Sequence, residues 1–511
     1  MVCKKVAGLS LFSIMLFLQL AQAQSQPPAF QVTMLSSTCS AAVTAPGCQP
    51  GAVPTIFTFN NGTPTVLNSS APLSTPSNFG TAFPVSILAS ELNASIATAL
   101  SVIPISSPAS AVITRTDPTT GAELPVSSTL GPILTERAET IGKHKFYVGF
   151  SNEDFHFTSL NGESLRTLTL LDTGGRASTL TNGGQTLTSY PVTLGIGTDV
   201  RLAQNVTFFT YGVTDRFDVS VGLPIVHASI FSQTSNVEAY VGDGLGGTNK
   251  NCWCLDTTTP GHGPGTNLSG LVIPGVINAS NKSNTGFGDM LLRFKGTVIR
   301  RHNLAFAAGL DLRLPTGDER NFLGLGTTAV KPFVALSLYT TPLSHGIVFS
   351  PHFNLGWQYA GKSVLGGLVS ANEITGGPPA LFGVPFSSSK GYLPDVFSWG
   401  VGTEVALGRR NTVVADILGN QIGWVHGIAN MMTTSANGYL PVAGCGKSCS
   451  PVTISGLVST GRVSLGQYSG AFGYKAKITG NLVGTANVLV RFDNNGLVAR
   501  TVPLVGLSYT F

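Results

Sequence analysis

After Leu20, no uninterrupted apolar run in this chain of 511 residues approaches the roughly 20 needed for a membrane-spanning helix. Positive mean hydropathy, +0.26, therefore cannot come from helical spans. A chain of this kind that enters a membrane must do so as a closed barrel, because only a barrel satisfies strand backbone groups without water. Charge is also scarce: Asp, Glu, Lys and Arg make up 10% of residues, against roughly 25% in ordinary soluble domains. The formal charge of +5 drops to +3 without Lys4 and Lys5, and the remaining basic residues are scattered, which excludes a nucleic-acid footprint.

Catalytic constellations are missing as well. There is no Gly-x-Ser-x-Gly elbow, no His-Glu-x-x-His helix and no paired-carboxylate signature, and the eight histidines are dispersed. Gly242-Asp-Gly244-Leu-Gly-Gly247 matches a dinucleotide-binding spacing but has no strand-to-helix context. Gly444-Cys-Gly-Lys447-Ser448 ends like a phosphate loop, yet Pro441 stands at the first glycine position. The chain is expected to be no enzyme and to carry no cofactor.

Lys4 and Lys5, the apolar stretch from Val6 to Leu20 and Ala21-Gln-Ala23 form an export signal with its cleavage site, residues 1–23. Six cysteines follow it, in three couples close in sequence: Cys39/Cys48, Cys252/Cys254 and Cys445/Cys449. In an exported chain these are candidate disulfides. Metal binding is the rival, but no histidine or carboxylate sits at ligand spacing beside them.

Residues 24–142 are rich in Ser, Thr, Pro and Ala, poor in charge and without sustained two-residue alternation. They form an N-terminal extension, expected either to occupy the barrel interior or to stay in the periplasm. Within it, Ile87, Leu88, Leu92, Ile96 and Leu100 have helical spacing. Two readings are open: a short helix packed against or inside the barrel, or a collapsed linker.

Residues 143–511 read as an antiparallel all-β transmembrane barrel of about 12 strands. In 303–314, Leu304, Phe306, Ala308, Leu310, Leu312 and Leu314 share one parity, against Ala305, Ala307, Gly309, Asp311 and Arg313. Residues 346–358 and 397–408 repeat the pattern, and weaker versions cover 145–158, 198–211, 216–230, 287–299, 328–340, 411–421, 466–478, 482–492 and 499–511. Connections alternate in length, as outer-membrane barrels require, with tight turns near 213–216, 300–303, 340–345, 408–411 and 479–481. The last hairpin is expected to turn at Asn495-Gly496 in a type I′ conformation. The chain ends on Val505, Leu507, Tyr509 and Phe511 in alternation, a closing strand whose terminal aromatic is expected to address the barrel-assembly machinery.

On this register Asp218, Arg293, Lys295, Asp311, Arg313, His352, Glu404, Asp416, Lys475, Lys477, Arg491 and Arg500 point inward as candidate lumen lining. Facing lipid, a Lys or Arg costs roughly 2 to 4 kcal/mol at mid-bilayer, which fixes the parity. They are expected either to form structural networks or to line a selective path.

Thr285-Gly-Phe-Gly-Asp289, then Leu312-Arg-Leu-Pro-Thr-Gly-Asp318 with Gly324-Leu-Gly326, resemble the outer-membrane barrel family named for the meta-pathway of phenol degradation. Tyr211-Gly-Val-Thr-Asp-Arg-Phe-Asp218 leading into Val219–Pro224, and Asn495-Gly496 leading into Pro503–Phe511, look like it too. The resemblance spans roughly 145–511 and implies a transporter-like barrel, related at a distance to long-chain fatty-acid channels, that admits small hydrophobic or aromatic compounds. It carries over no substrate residue. The expectation is a monomeric channel in the bacterial outer membrane, in contact with its lipid, both termini periplasmic and its small-molecule permeant unidentified. The alternative is a surface-binding or structural protein whose barrel anchors cysteine-bearing external loops.

Overall fold

The computed structural model describes residues 58–60, 63–65, 82–103, 114–116, 123–125, 129–172, 180–182, 185–242, 253–254, 271–301, 303–340, 347–367, 369–371, 386–408, 410–434 and 453–511. The export signal and Cys39, Cys48, Cys252, Cys445 and Cys449 lie outside them. Cys254 falls in the short strand Trp253–Cys254.

Twelve antiparallel strands close into a transmembrane barrel. In chain order they are β1 (Phe146–Phe157), β2 (Gln185–Thr214), β3 (Phe217–Gly242), β4 (Met290–Arg301), β5 (Leu304–Leu314), β6 (Ala329–Leu338), β7 (Val348–Ala360), β8 (Val396–Leu407), β9 (Asn411–Thr434), β10 (Thr453–Thr479), β11 (Leu482–Arg491) and β12 (Thr501–Thr510). Each strand pairs with its sequence neighbours, and β12 returns to β1 with Thr510 opposite Tyr147 and Leu504 opposite Glu153. The Phe511 amide donates to the Phe146 carbonyl at 2.8 Å, so the last residue seals the seam. Closure leaves no open edge, the condition lipid imposes.

Side-chain parity decides what each face meets. Along β5, Ala305, Ala307 and Asp311 are buried while Phe306, Leu310 and Leu312 lie on the outer parity. Outward aromatics gather at two heights. Phe146, Tyr509 and Phe511 cluster at the tight-turn end, with Tyr509 and Phe511 ring centroids 4.7 Å apart. Trp357, Tyr359 and Phe397 cluster toward the other, with Trp357 and Phe397 5.7 Å apart. Roughly ten residues of tilted strand separate the two groups, enough to cross the bilayer's apolar core. These are the girdles that interfacial water favours.

β2, β3, β9 and β10 run far longer than a crossing needs and continue past the second girdle as tall hairpins. A further strand, Leu271–Phe287, pairs with the upper part of β3 and breaks at Gly288-Asp289 before β4 begins. The final connection departs from expectation. Gly496 has φ +68° but Asn495 does not have positive φ, so the turn is not type I′. Instead, the Asp493 carboxylate accepts from the Asn495 amide at 2.9 Å and from Arg491 Nε and Nη2 at 3.0 and 3.1 Å. A charge-assisted clasp replaces backbone turn chemistry.

At the other break, Asp289 Oδ1 accepts from the Gly317 amide at 3.1 Å and Oδ2 from the Leu325 amide at 2.6 Å, tying the 315–328 connection to the wall. Burial pushes its carboxyl up to about 6 despite those donors. The folded state therefore binds a proton the unfolded state has released between about pH 4 and 6. Stability from this group is complete below the unfolded pKa and is lost as pH rises through about 6, a change of about 3 kcal/mol. Urea unfolding in detergent between pH 4 and 7 is expected to show this component, and Asp289→Asn to abolish it.

Inside the wall, the Phe333 ring lies over Gly309, filling the space a side chain would take there. Gly309→Val is expected to displace that ring at a cost of about 1–3 kcal/mol, read as a lower urea midpoint at unchanged slope.

Candidate functional site: an occupied barrel lumen

The inward face carries more polar groups than the wall can pair by itself, and the N-terminal extension supplies their partners. Residues 129–142 run as an irregular strap across the lumen, within about eight residues of the tight-turn end of every strand they touch. At one side the Leu130 amide donates to Thr412 Oγ1 at 3.0 Å, and Lys475 Nζ donates to the Pro132 carbonyl. In the middle, Thr135 Oγ1 lies 2.7 Å from His352 Nε2, itself 2.8 Å from Asp416 Oδ1. At the far side, the Ile141 amide donates to Asp218 Oδ2 at 2.9 Å.

Two ion-pair centres anchor the strap. Arg137 Nη2 lies 2.6 Å from Glu404 Oε2, both side chains 2% exposed. Glu136 accepts from Arg293 Nη1 at 2.5 Å and from Lys295 Nζ at 2.8 Å, while Arg293 also grips Asp311 through Nε and Nη2 at 2.7 and 2.8 Å. Backbone bonds complete the seal: the Ala138 amide donates to Ser337 Oγ, and Thr297 Oγ1 donates to the Ala138 carbonyl. Burial raises the Glu139 carboxyl above the usual carboxylate range, with Arg137 drawing it back. The strap then enters β1 through Gly142, whose backbone passes against Gly212. The His144 amide donates to the Gly212 carbonyl at 2.7 Å, and a side chain at Gly212 would collide with the Gly142 carbonyl.

At the opposite end sits α1 (Ala82–Val102). From Leu92 to Ser101 it is buried on all sides apart from Ser95, as an apolar helix enclosed by a wall must be. Leu92, Ile96 and Leu100 pack among Phe155, Phe157, Leu168 and Ile196. Thr98 and Ser101 hydroxyls donate to α1's own carbonyls, at 2.7 and 2.8 Å, which lets polar residues enter an apolar site. Arg313 Nη1 holds the Leu100 carbonyl at 2.6 Å. The helix reading of Ile87–Leu100 is therefore the one the structure carries, and its place is inside the barrel.

Between α1 and the strap lies a cavity of about 200 Å³, bordered by Ala99–Ile103 without Leu100 above, Leu134–Glu136 below, and both charged and apolar wall residues. Among the sequence-derived candidates, Arg293, Asp311, Arg313 and Arg491 line it. Asp218, Lys295, His352, Glu404, Asp416 and Lys475 are buried against the strap. Lys477 lies by the tight-turn mouth, its amide bonded to the Arg410 carbonyl. Arg500 departs from its expected place. It is exposed, donates to the Arg491 and Asp493 carbonyls and to Asn494 Oδ1, and serves the last loop because β12 begins only at Thr501.

Sequence reasoning missed Glu136, Arg137 and Lys331. Thr135-Glu-Arg-Ala-Glu139 is the densest charge cluster in the extension, and that contrast was the available signal. Lys331 shares its parity with inward Phe333, which disguised the lumen face of β6.

Residues 175–363 match the model of the family described as "Putative MetA-pathway of phenol degradation". The resemblance read at Tyr211–Asp218, Thr285–Asp289 and Leu312–Asp318 falls within that stretch, while Asn495-Gly496 and Pro503–Phe511 lie beyond it. No curated protein matches. Similar solved structures include an outer membrane channel from Pseudomonas putida F1, with 9% identity and TM-score 0.37, covering 73% of this chain and 98% of that one. A Pseudomonas aeruginosa FadL homologue has 10% identity and TM-score 0.28, covering 72% and 90%. The Ralstonia pickettii toluene transporter TbuX has 12% identity and TM-score 0.26, covering 72% and 89%.

Removing one member of a buried ion pair leaves the other charge uncompensated, at about 3–5 kcal/mol. Glu404→Ala is expected to release the strap, so that trypsin cleaves after Arg137 in the detergent-solubilised variant while the wild-type protein resists.

Proposed function

We propose that the chain is an outer-membrane channel for passive passage of small molecules, held shut at rest by its own extension. The observation that carries this reading is the series arrangement in the lumen: an apolar helix, a cavity of about 200 Å³, then a strap fixed by ion pairs. A barrel that served only as an anchor would fill its interior with side chains, whereas a twelve-stranded one holds space that this chain occupies with a separable segment. The strap's bonds are made by side chains at one end and join no β-ladder, so it can leave without unzipping the wall. Passage follows the gradient, with the lumen's polar groups replacing lost water.

In this reading the tight-turn end, with the strap's exit and Phe511, faces the periplasm, and the tall hairpins face outside. The exposed Phe511 is the element that the assembly machinery would meet. The parts of the extension that the structure describes in the lumen, α1 and the strap, act as a plug. One observation favours a second role: β2, β3, β9 and β10 extend well past the girdles, a surface suited to binding.

Single-channel conductance in planar bilayers tests the first reading. The wild-type protein is expected to conduct little, and a variant lacking residues 24–140 to give stable open steps at least about tenfold larger, as removal of a series obstruction requires. Equal silence from both would overturn it. Loss of surface adhesion on shortening β2, β3, β9 and β10 above the second girdle, with silence retained, would establish the second.

A further inference from the structure

Ion pairs within the lumen leave the Lys331 ammonium out. Arg293 and Lys295 are committed to Glu136 and Asp311. Arg313 is held by the Leu100 carbonyl and lies near buried Asp289. Lys331 lines the cavity with no hydrogen-bond or ion-pair partner among the described residues. It stands opposite Asp311 in the β5–β6 register, but both Asp311 oxygens are taken by Arg293. Its side chain is housed by Gly356, whose missing side chain would meet Lys331 Cε.

Arg313 and Lys331 are diagonal neighbours on one face, since Arg313 pairs with Ala329 and Lys331 lies two residues further on. Such positions are about 7–8 Å apart, a span that two cations share across a carboxylate. Arg313 uses Nη1 on Leu100, and its remaining guanidinium N–H groups meet no acceptor among the described residues. Another part of the lining is apolar, with Phe155, Phe157, Leu489, Leu497 and Val502, while Glu136, Arg293 and Asp311 on the charged part are committed to one another. A lone ammonium beside such a surface is costly unless an anion joins it.

We infer that this cavity binds a small monocarboxylate with an aromatic or short aliphatic body, its carboxylate between Lys331 and Arg313 and its body against the Phe155–Phe157 side. Ring centroids of those two phenylalanines lie 6.2 Å apart at 16°, a stacked pair that offers a flat apolar boundary. The carboxylate supplies the anionic partner that Lys331 lacks among the described residues, which a neutral analogue cannot. The inference rests on the channel reading for the ligand's way in and out, and adds to it the chemistry of what is held.

Equilibrium dialysis of the full mature chain in nanodiscs, against empty nanodiscs, measures binding of benzoate and of its neutral analogue benzyl alcohol. Saturable benzoate binding is expected, at least about tenfold tighter than benzyl alcohol and weakening with added salt. Lys331→Gln is expected to lower benzoate affinity by about tenfold or more and leave benzyl alcohol unchanged, and Lys331→Arg to stay within about threefold of wild type. Absent benzoate binding, equal affinity for the two probes, or an unchanged Lys331→Gln would overturn the inference. Should Lys331→Gln fail to fold, the wild-type preference and Lys331→Arg still decide. Binding does not require conduction, so silence in the bilayer experiment with selective benzoate binding would remove the channel reading alone.

Discussion

Along the bilayer span, hydrocarbon outside the barrel forces ionised side chains inward, and that one constraint creates the need from which the interior follows. Asp218, Arg293, Lys295, Glu404, Asp416 and Lys475 cannot sit on the lipid face, and once inside they sit too close to an apolar wall to remain unpaired. The strap answers with Glu136, Arg137 and a run of free amides and carbonyls. Its irregular backbone is itself allowed only because it is enclosed by protein. The wall and the strap therefore pair with each other, Arg137 with Glu404 and Glu136 with Arg293 and Lys295.

Two different chemistries occupy the two ends of the same cylinder. Near the tight turns, charge pairing and directional hydrogen bonds hold an extended segment. Toward the tall hairpins, α1 is held by apolar packing with phenylalanines and leucines, and by the grip of Arg313 on the Leu100 carbonyl. The cavity lies where these regimes meet, which gives it charged groups on one side and hydrocarbon on the other. Because the ionic end binds by electrostatics and the apolar end by burial, salt and pH act mainly on one and temperature on both.

The wall itself was legible from alternation. Every expected strand from 145–158 to 499–511 coincides with an observed one, since a lipid face and a lumen face impose opposite residue types at a period of two. The lengths of the long strands were not legible, because beyond the girdles no lipid enforces the contrast and β2, β3, β9 and β10 continue in mixed sequence. Asn495-Gly496 misled for a related reason: a local turn preference was overridden by the carboxylate of Asp493. Arg500 was misplaced by the same loop.

Sequence alone determined the closed antiparallel wall, its parity and the order of short and long connections, because each is written in residue type at short range and enforced by the solvent on either side. Tertiary structure decided what fills the wall. That Arg137 meets Glu404 and Glu136 meets Arg293, and that α1 lies inside, depends on residues more than a hundred positions apart arriving at one height in a cylinder. No local pattern encodes that height, because it is fixed only when the register of all twelve strands has closed.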